Sequence, residues 1–212
     1  MKNITAFFGG SFDPPHNGHL GVALGALRSG LCSKVVWVPA WSQPHKQGKK
    51  TAPFPSRLAM TELLIKGQPN MAVSDLEARI QLQPSYTFEV LKHFAAELAA
   101  EETPALLIGA DSLLALHTWY NAQELAEKYI ILTYPRPGKE ISPEALSPYW
   151  EKKTVQKLLS GVIKGDFFEI SSTEIRNSMA KSPKTGNINS EDKNLFNALV
   201  EDYCRRHRLY ED

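Results

Sequence analysis

The chain has 212 residues, of which 42% are hydrophobic and 22% charged, and its formal net charge is +1. These values are ordinary for a globular α/β protein, and the near-neutral charge excludes a general nucleic-acid binder, which is normally clearly basic. No stretch of about eighteen apolar residues is present, so no membrane span is expected.

The two cysteines and the first residues indicate the compartment. Cys32 and Cys204 are not spaced like metal ligands, and a single disulfide would add little structural support to a chain of this length. The chain starts with a strand pattern and has no basic-then-apolar leader. We therefore expect free thiols in a reducing cytoplasm.

Short apolar runs alternate with helical patterns along the chain, which predicts repeated βα units and an α/β fold with a doubly wound, mostly parallel sheet. The predicted strands are residues 4–8, 35–38, 71–74, 105–108, 129–133 and 167–170. The predicted helices are residues 20–28, 55–66, 87–98, 149–159, 172–179 and 191–208.

The sequence predicts one domain over residues 1–212. A Pro-, Ser-, Lys- and Glu-rich stretch at about 137–165 is interpreted as a peripheral excursion, and residues 171–212 as a C-terminal helical portion. In the last helix we expect Leu195, Leu199, Val200 and Tyr203 to face inward.

The most informative segment is G-G-S-F-D-P-P-H-N-G-H at residues 9–19, between the first predicted strand and a helix. A glycine-rich turn at a helix N-terminus exposes backbone N–H groups, which attract phosphate. His16 and His19 lie on one helical face, where nearby phosphate oxygens can keep an imidazole protonated. A plain turn with two surface histidines is the alternative.

This segment resembles the (T/S)-x-x-H-x-G-H signature of the nucleotidyltransferase superfamily, which has a Rossmann-like fold. The resemblance implies that His16 and His19 are catalytic and hold the α- and β-phosphates of ATP. The ATP-binding residues that it implies in this turn are Gly9, Gly10, Ser11, Phe12, His16, Gly18 and His19.

A second motif, I-S-S-T-E-I-R at residues 170–176, follows the last predicted strand and starts a helix. Hydroxyls, free N–H groups and an arginine one turn later can cradle a triphosphate, although the string also fits a simple capping box. It resembles the I-S-S-T-x-I-R motif of adenylyltransferases in the superfamily. The resemblance implies that Ser172 and Thr173 hold the β- and γ-phosphates and that Arg176 neutralises them.

A third motif, L-I-G-A-D-S-L, ends the strand predicted at residues 105–108. Gly109 lets a ligand approach the backbone at the sheet edge where open α/β sheets bind their ligands. Asp111 can accept hydrogen bonds from a ribose or cap the next helix, and both interpretations stay open. Trp119 follows this motif in the sequence. It could contact a ligand, or it could simply pack in the hydrophobic core.

This third motif, S-Y-T at residues 85–87 and R-P-G at residues 136–138 together resemble the bacterial nicotinate mononucleotide adenylyltransferase family. The resemblance implies that Trp119 stacks on the pyridine ring, which is electron-poor and suits an indole face. The mononucleotide-binding residues that it implies are Ser11, His45, Lys46, Tyr86, Thr87, Asp111, Trp119 and Arg136. Lys46, Gly109 and Asp111 are also expected to contact ATP.

The segment P-H-K at residues 44–46 matches the family's P-H-K or P-H-R. By this resemblance, His45 and Lys46 contact phosphates when their loop closes. The chain differs from the family at Ala40 and Trp41, where the family commonly has an asparagine, so an amide contact to the mononucleotide phosphate is in doubt there.

The reaction that the resemblance implies is adenylyl transfer from ATP to nicotinate mononucleotide, a step of NAD biosynthesis, without a covalent enzyme intermediate. Since the attacking phosphate is already an anion, the reaction needs alignment and charge neutralisation rather than a general base. Mg²⁺ is expected to enter with ATP, held mostly by water and phosphate oxygens. No protein metal ligand, nucleic acid or membrane partner is expected, and the oligomeric state is open, with a homo-oligomer as one expectation.

Two alternatives remain at this point. A related nucleotidyltransferase could use another phosphorylated acceptor, such as phosphopantetheine, or CTP, although we would not expect the S-Y-T, tryptophan and R-P-G set in such an enzyme. A non-catalytic nucleotide-binding regulator could keep the fold, but the intact His16, His19 and Arg176 argue against it.

Overall fold

A computed structural model describes residues 3–41, 51–164, 172–181 and 197–210 of the chain. Three predicted features lie outside these residues: the P-H-K segment at 44–46, the strand at 167–170 and the start of the last helix at 191–196.

The described strands form one parallel sheet of five strands in the order β3-β2-β1-β4-β5. They are β1 (Asn3–Gly10), β2 (Lys34–Pro39), β3 (Met71–Val73), β4 (Glu102–Gly109) and β5 (Ile130–Tyr134). In the central strand, Phe7 pairs with Val36 of β2 and with Leu106 of β4. The order reverses between β1 and β4, and open α/β sheets bind their ligands beyond the carboxyl ends of the strands at such a point.

Helices cover the sheet between and after the strands. They are α1 (Asn17–Arg28), α2 (Phe54–Ile65), α3 (Leu76–Ile80), α4 (Thr87–Glu97), α5 (Ala110–Leu114), α6 (Ala122–Lys128), α7 (Pro143–Leu146), α8 (Lys152–Ser160), α9 (Ser172–Lys181) and α10 (Ala198–Arg206). None of the helices in these described ranges is long and apolar enough to cross a membrane.

Two hydrophobic cores lie on opposite faces of the sheet. Successive side chains of a strand point to opposite faces, so Phe8 packs in one core and its neighbour Phe7 in the other. The Phe8 core contains buried residues of α1, α2, α9 and α10, whereas the Phe7 core contains residues of α4, α5, α6 and α8. The predicted doubly wound α/β class is therefore confirmed.

The element boundaries differ from the predictions where tertiary contacts decide them. Helix α1 begins at Asn17, earlier than predicted, because His16 caps it. The short helices α3, α5, α6 and α7 are absent from the prediction, since pieces of this length depend on packing rather than on sequence period. In α10, Val200 is fully buried, but the prediction that Leu199 faces inward is wrong, because that side chain is 46% exposed.

The two cysteines are free, as the sequence predicts, and both are buried. Burial raises the pKa of Cys32 to about 11 and that of Cys204 to about 12. Both thiols therefore stay protonated and act as small apolar core residues.

Candidate active site

The segment after β1 carries the two histidines into the start of α1. His16 is the N-cap residue and His19 the third helical residue, and each ring accepts a hydrogen bond from the other's backbone. The His19 N–H donates to His16 Nδ1 at 3.4 Å, and the His16 N–H donates to His19 Nδ1 at 3.3 Å. The ring centroids are 3.7 Å apart. This reciprocal capping fixes both imidazoles at a helix N-terminus, a place that favours anions.

The capping also determines where the ring protons lie. In a neutral imidazole whose Nδ1 accepts a hydrogen bond, the proton is on Nε2. His16 is 4% exposed, and its burial, together with the charge of Arg136, lowers its pKa to about 4. In the ligand-free chain His16 is thus neutral rather than protonated, and it offers phosphate an Nε2–H donor without a net charge.

This lowered pKa predicts a specific loss of stability in acid. Between pH 6.5 and about 4 the unfolded chain binds a proton at His16 that the folded chain does not bind. Folding stability should therefore fall with the pH across this window, by up to about 3 kcal/mol from His16. The variant His16→Gln keeps a polar side chain but cannot titrate, so its urea-unfolding free energy should fall less over the same pH series. Parallel curves for the two proteins would contradict the assignment.

The start of α9 packs against the same segment, through the motif at residues 172–176. The Ser172 hydroxyl donates to the Pro14 carbonyl at 3.1 Å, and Arg176 Nη1 donates to the Asp13 carbonyl at 2.5 Å. Arg176 Nη2 also donates to Thr173 Oγ1 at 3.1 Å. Segments more than 150 residues apart in sequence thus meet beside the histidines.

A buried arginine that the sequence analysis missed holds the other side of this turn. Arg57 of α2 is 3% exposed, and its guanidinium donates to three backbone carbonyls. These are Ser11 at 2.8 Å, Ala40 at 2.7 Å and Ala52 at 3.0 Å. A fully used guanidinium fork is a rigid brace for a loop. The signal in the sequence was its position, since Arg57 lies on the same helical face as Met60 and Leu64.

Past the end of β4, Asp111 lies between two cations. Arg136 Nη1 is 3.0 Å from one carboxylate oxygen and Lys139 Nζ is 3.1 Å from the other. Partial burial would raise the pKa of Asp111, but the hydrogen bonds from Lys139 and Arg136 outweigh it and lower the pKa. Lys139 was not predicted, although it directly follows the R-P-G motif. The charge of Arg136 also lowers the pKa of His16, so this arginine lies within electrostatic range of that histidine.

Of the residues expected around a pyridine ring, Tyr86 and Thr87 lie at the start of α4, and Trp119 lies in the chain between α5 and α6. Thr87 is the first residue of α4, and the exposed Tyr86 before it stacks on Tyr120, with centroids 4.4 Å apart. Trp119 precedes Tyr120, is partly buried and packs against the Phe7 core. The structure thus places an aromatic surface next to the S-Y-T segment.

Glu77 joins this surface to the loop after β2. Its buried carboxylate accepts from the Trp41 N–H and from the Ser85 hydroxyl, both at 3.0 Å. Burial raises the pKa of Glu77, opposed by these two hydrogen bonds and by Arg57. The backbone of Trp41 is therefore held by a buried carboxylate.

The glycines at the strand ends were predicted to let a ligand approach the backbone. Packing is a second reason why these positions lack a side chain. A Cβ on Gly109 would lie 2.9 Å from the Tyr134 ring, and one on Gly10 would lie 2.9 Å from the Phe12 ring. Phe12 is 1% exposed with a φ of +45°, so any contact of this residue with ATP comes from its backbone. Gly9 and the buried Gly18 flank this segment in β1 and α1.

The predicted site residues thus gather in three groups within the described chain. Around the turn are Ser11, His16, His19, Ser172, Thr173 and Arg176; past the end of β4 are Gly109, Asp111 and Arg136; Tyr86 and Thr87 lie at the start of α4, with Trp119 adjacent in sequence to the Tyr120 that stacks on Tyr86. The predicted His45 and Lys46 lie outside the described residues.

The charges of the site suit a metal that arrives with the nucleotide. Within the described ranges, no group of three or more His, Cys, Asp or Glu side chains could hold a metal ion. A set of mostly cationic side chains fits a metal bound by phosphate oxygens and water.

Comparisons with known structures agree with the architecture. A nicotinic acid mononucleotide adenylyltransferase of Plasmodium falciparum complexed with NaAD superposes with a TM-score of 0.75, at 20% identity, over 98% of this chain and 97% of that one. A structure of the same parasite enzyme complexed with APC gives a TM-score of 0.74, at 21% identity. The chain therefore shares the α/β fold of these solved structures.

Comparisons of sequence define the group more narrowly. Residues 7–178 match the family described as cytidylyltransferase-like. A probable nicotinate-nucleotide adenylyltransferase of Synechococcus sp. strain JA-3-3Ab is 34% identical over 212 residues, covering 100% of this chain and 97% of the relative. One of Symbiobacterium thermophilum is 41% identical over 138 residues, 65% of each chain. The chain belongs to the cytidylyltransferase-like family and, within it, to the nicotinate-nucleotide adenylyltransferases.

Proposed function

We propose that this chain transfers the adenylyl group of ATP to the 5′-phosphate of nicotinate mononucleotide, releasing pyrophosphate and forming nicotinate adenine dinucleotide. The observation that carries the proposal is that Arg176, near the start of α9, reaches the turn that leads into the His16–His19 pair, while the Asp111–Arg136 pair lies past the end of the neighbouring strand β4. Family membership supports the choice of substrates.

The chemistry follows from the donors at this rim. The mononucleotide phosphate attacks the α-phosphorus of ATP, the bond to the β-phosphate oxygen breaks, and pyrophosphate leaves. No side chain takes part covalently, because the nucleophile is already ionised. The enzyme's contribution is to align two mutually repelling anions and to stabilise the charge that grows on the leaving group.

Each group of residues has a separate task in this proposal. The Nε2–H groups of His16 and His19 and the N-terminus of α1 bind the α- and β-phosphates. Ser172, Thr173 and Arg176 hold the pyrophosphate end. Mg²⁺ is the metal that we assign to the ATP complex, where it would neutralise triphosphate charge.

The mononucleotide site lies on the other side of the turn in this proposal. Arg136 is the candidate for its phosphate, Asp111 for its ribose, and Trp119 with the S-Y-T segment for the pyridine ring. Two buried free thiols support a reducing compartment, the cytoplasm.

A direct assay tests the function. Purified protein is given ATP, Mg²⁺ and either nicotinate or nicotinamide mononucleotide at equal concentration, and pyrophosphate release and the dinucleotide are measured. We expect turnover with the acid form and much less with the amide. Nucleotide binding without turnover would instead indicate a regulator, and turnover only with another phosphorylated acceptor would indicate a related transferase.

The variant Trp119→Ala should separate the two substrates. An aromatic contact to a base is worth about 1–3 kcal/mol on alanine substitution, so the KM for nicotinate mononucleotide should rise roughly 5- to 100-fold. The KM for ATP should change little, and Trp119→Phe should retain part of the affinity. If both KM values rise equally and the melting temperature falls, Trp119 is a packing residue instead.

A further inference from the structure

The last described residues of the chain turn back toward the active-site segment. Helix α10 ends in a Schellman motif, in which the Leu209 N–H donates to the Cys204 carbonyl at 2.9 Å and the Arg208 N–H donates to the Arg205 carbonyl at 3.2 Å. Arg208 has a φ of +51° and the next-but-one residue, Tyr210, a φ of +66°. Non-glycine residues keep such conformations only where their surroundings determine them.

The C-terminal turn is joined by a hydrogen bond to the segment at residues 9–19, which carries the two histidines. The Tyr210 hydroxyl donates to Asp13 Oδ1 at 2.6 Å, across 197 residues of sequence. Asp13 is 1% exposed and lies three residues before His16. The same oxygen accepts from the Ala52 N–H at 3.0 Å. The buried Asp13 carboxylate thus connects three parts of the chain: the segment at residues 9–19, the residues before α2 and the C-terminal turn.

The second carboxylate oxygen of Asp13 shows how the Tyr210 hydroxyl can influence Arg176. Among the described residues Asp13 Oδ2 has no hydrogen-bond partner, and Arg176 Nη1 lies 4.0 Å from it. The guanidinium donates instead to the Asp13 backbone carbonyl and to Thr173. A buried carboxylate that loses a donor draws the nearby cation toward itself, since an unpaired buried charge is costly and a charge-assisted hydrogen bond is strong.

We propose that Tyr210 is a positioning residue for adenylyl transfer: by donating to Asp13 it keeps Arg176 directed at the triphosphate and fixes the turn that precedes His16. The inference rests on the function proposed above. Tyr210 touches neither substrate in this account and acts only through Asp13 and Arg176.

The hydroxyl is suited to this task over the whole physiological pH range. Burial and the neighbouring Asp13 raise the pKa of Tyr210 far above its ordinary value. The group therefore remains protonated and remains a donor.

The test is the full-length variant Tyr210→Phe, which keeps the ring and removes the hydroxyl. Tyr203→Phe is the matched control, since it removes a tyrosine hydroxyl from α10, seven residues earlier, where Tyr203 stacks on His207. A hydrogen bond to a charged group is worth enough that we expect kcat of Tyr210→Phe to fall about tenfold or more, and the KM for ATP to rise. The KM for nicotinate mononucleotide should stay within about twofold of the wild-type value.

Two further measurements distinguish positioning from simple stabilisation. Hydrogen exchange of a peptide covering residues 10–20 should be faster in Tyr210→Phe than in Tyr203→Phe at equal temperature. Adding Tyr210→Phe to Asp13→Asn should lower kcat little beyond the effect of Asp13→Asn alone, because both substitutions break the same interaction.

The outcomes are separable from those of the proposed function. A wild-type protein without adenylyl transfer overturns the function. If the wild type is active and a folded Tyr210→Phe variant has the same kcat, only the role of Tyr210 is overturned. The same holds if the variant has a lowered melting temperature but unchanged kinetics. Additive effects in the double variant would show that the tyrosine does not act through Asp13.

Discussion

Replacing His19 with alanine is expected to lower kcat by about a hundredfold or more while the protein stays folded. The ring is held by the His16 N–H on Nδ1, which places its proton on Nε2 as a donor for phosphate. Alanine removes that donor from the point where charge develops. The fold should survive, because the loss of a capping side chain costs only about 1 kcal/mol.

Steady-state kinetics with both substrates and a thermal melt check this expectation. His93→Ala is the matched control, since His93 is exposed on α4, outside the three groups of site residues. His19→Gln keeps an N–H donor and should be intermediate. Wild-type kcat in a folded His19→Ala protein would exclude the histidine from the mechanism.

Replacing Arg176 with methionine should lower kcat/KM for ATP by roughly two to three decades. The guanidinium is half-buried, lies 4.0 Å from the Asp13 carboxylate and bonds the Asp13 carbonyl and Thr173. Its loss removes the cation expected at the pyrophosphate end. Arg176→Lys should recover only part of the activity, because an ammonium is a point charge and lacks the planar fork.

The reverse reaction gives the sharper measurement. In pyrophosphate-dependent cleavage of the dinucleotide, the KM for pyrophosphate should rise in Arg176→Met, whereas the KM for the dinucleotide should change less. Arg205→Met is the control, an arginine on α10 that pairs with Glu201 at 2.8 Å. If the substitution lowers kcat/KM for nicotinate mononucleotide more than kcat/KM for ATP, Arg176 belongs to the mononucleotide site instead.

The two histidines show how far sequence reasoning reaches into the site. Their spacing and their place after a strand predicted a shared helical face at a phosphate-binding turn. The charge of His16 was not predictable, because it depends on burial and on Arg136, which is 120 residues away in sequence. Lys139, Arg57, Asp13 and Tyr210 were missed for the same reason: each has a role only through a partner that the fold brings close.

The sequence by itself determined the βα alternation, the α/β class and the motifs after the first and fourth strands, because hydrophobic period and turn residues act over a few neighbouring positions. Only the tertiary structure decided that Asp13 is buried under Tyr210, that Arg176 reaches its carbonyl, and that His16 is neutral. Hydrogen bonds and desolvation depend on distances through space, and folding sets those distances between residues nearly 200 positions apart.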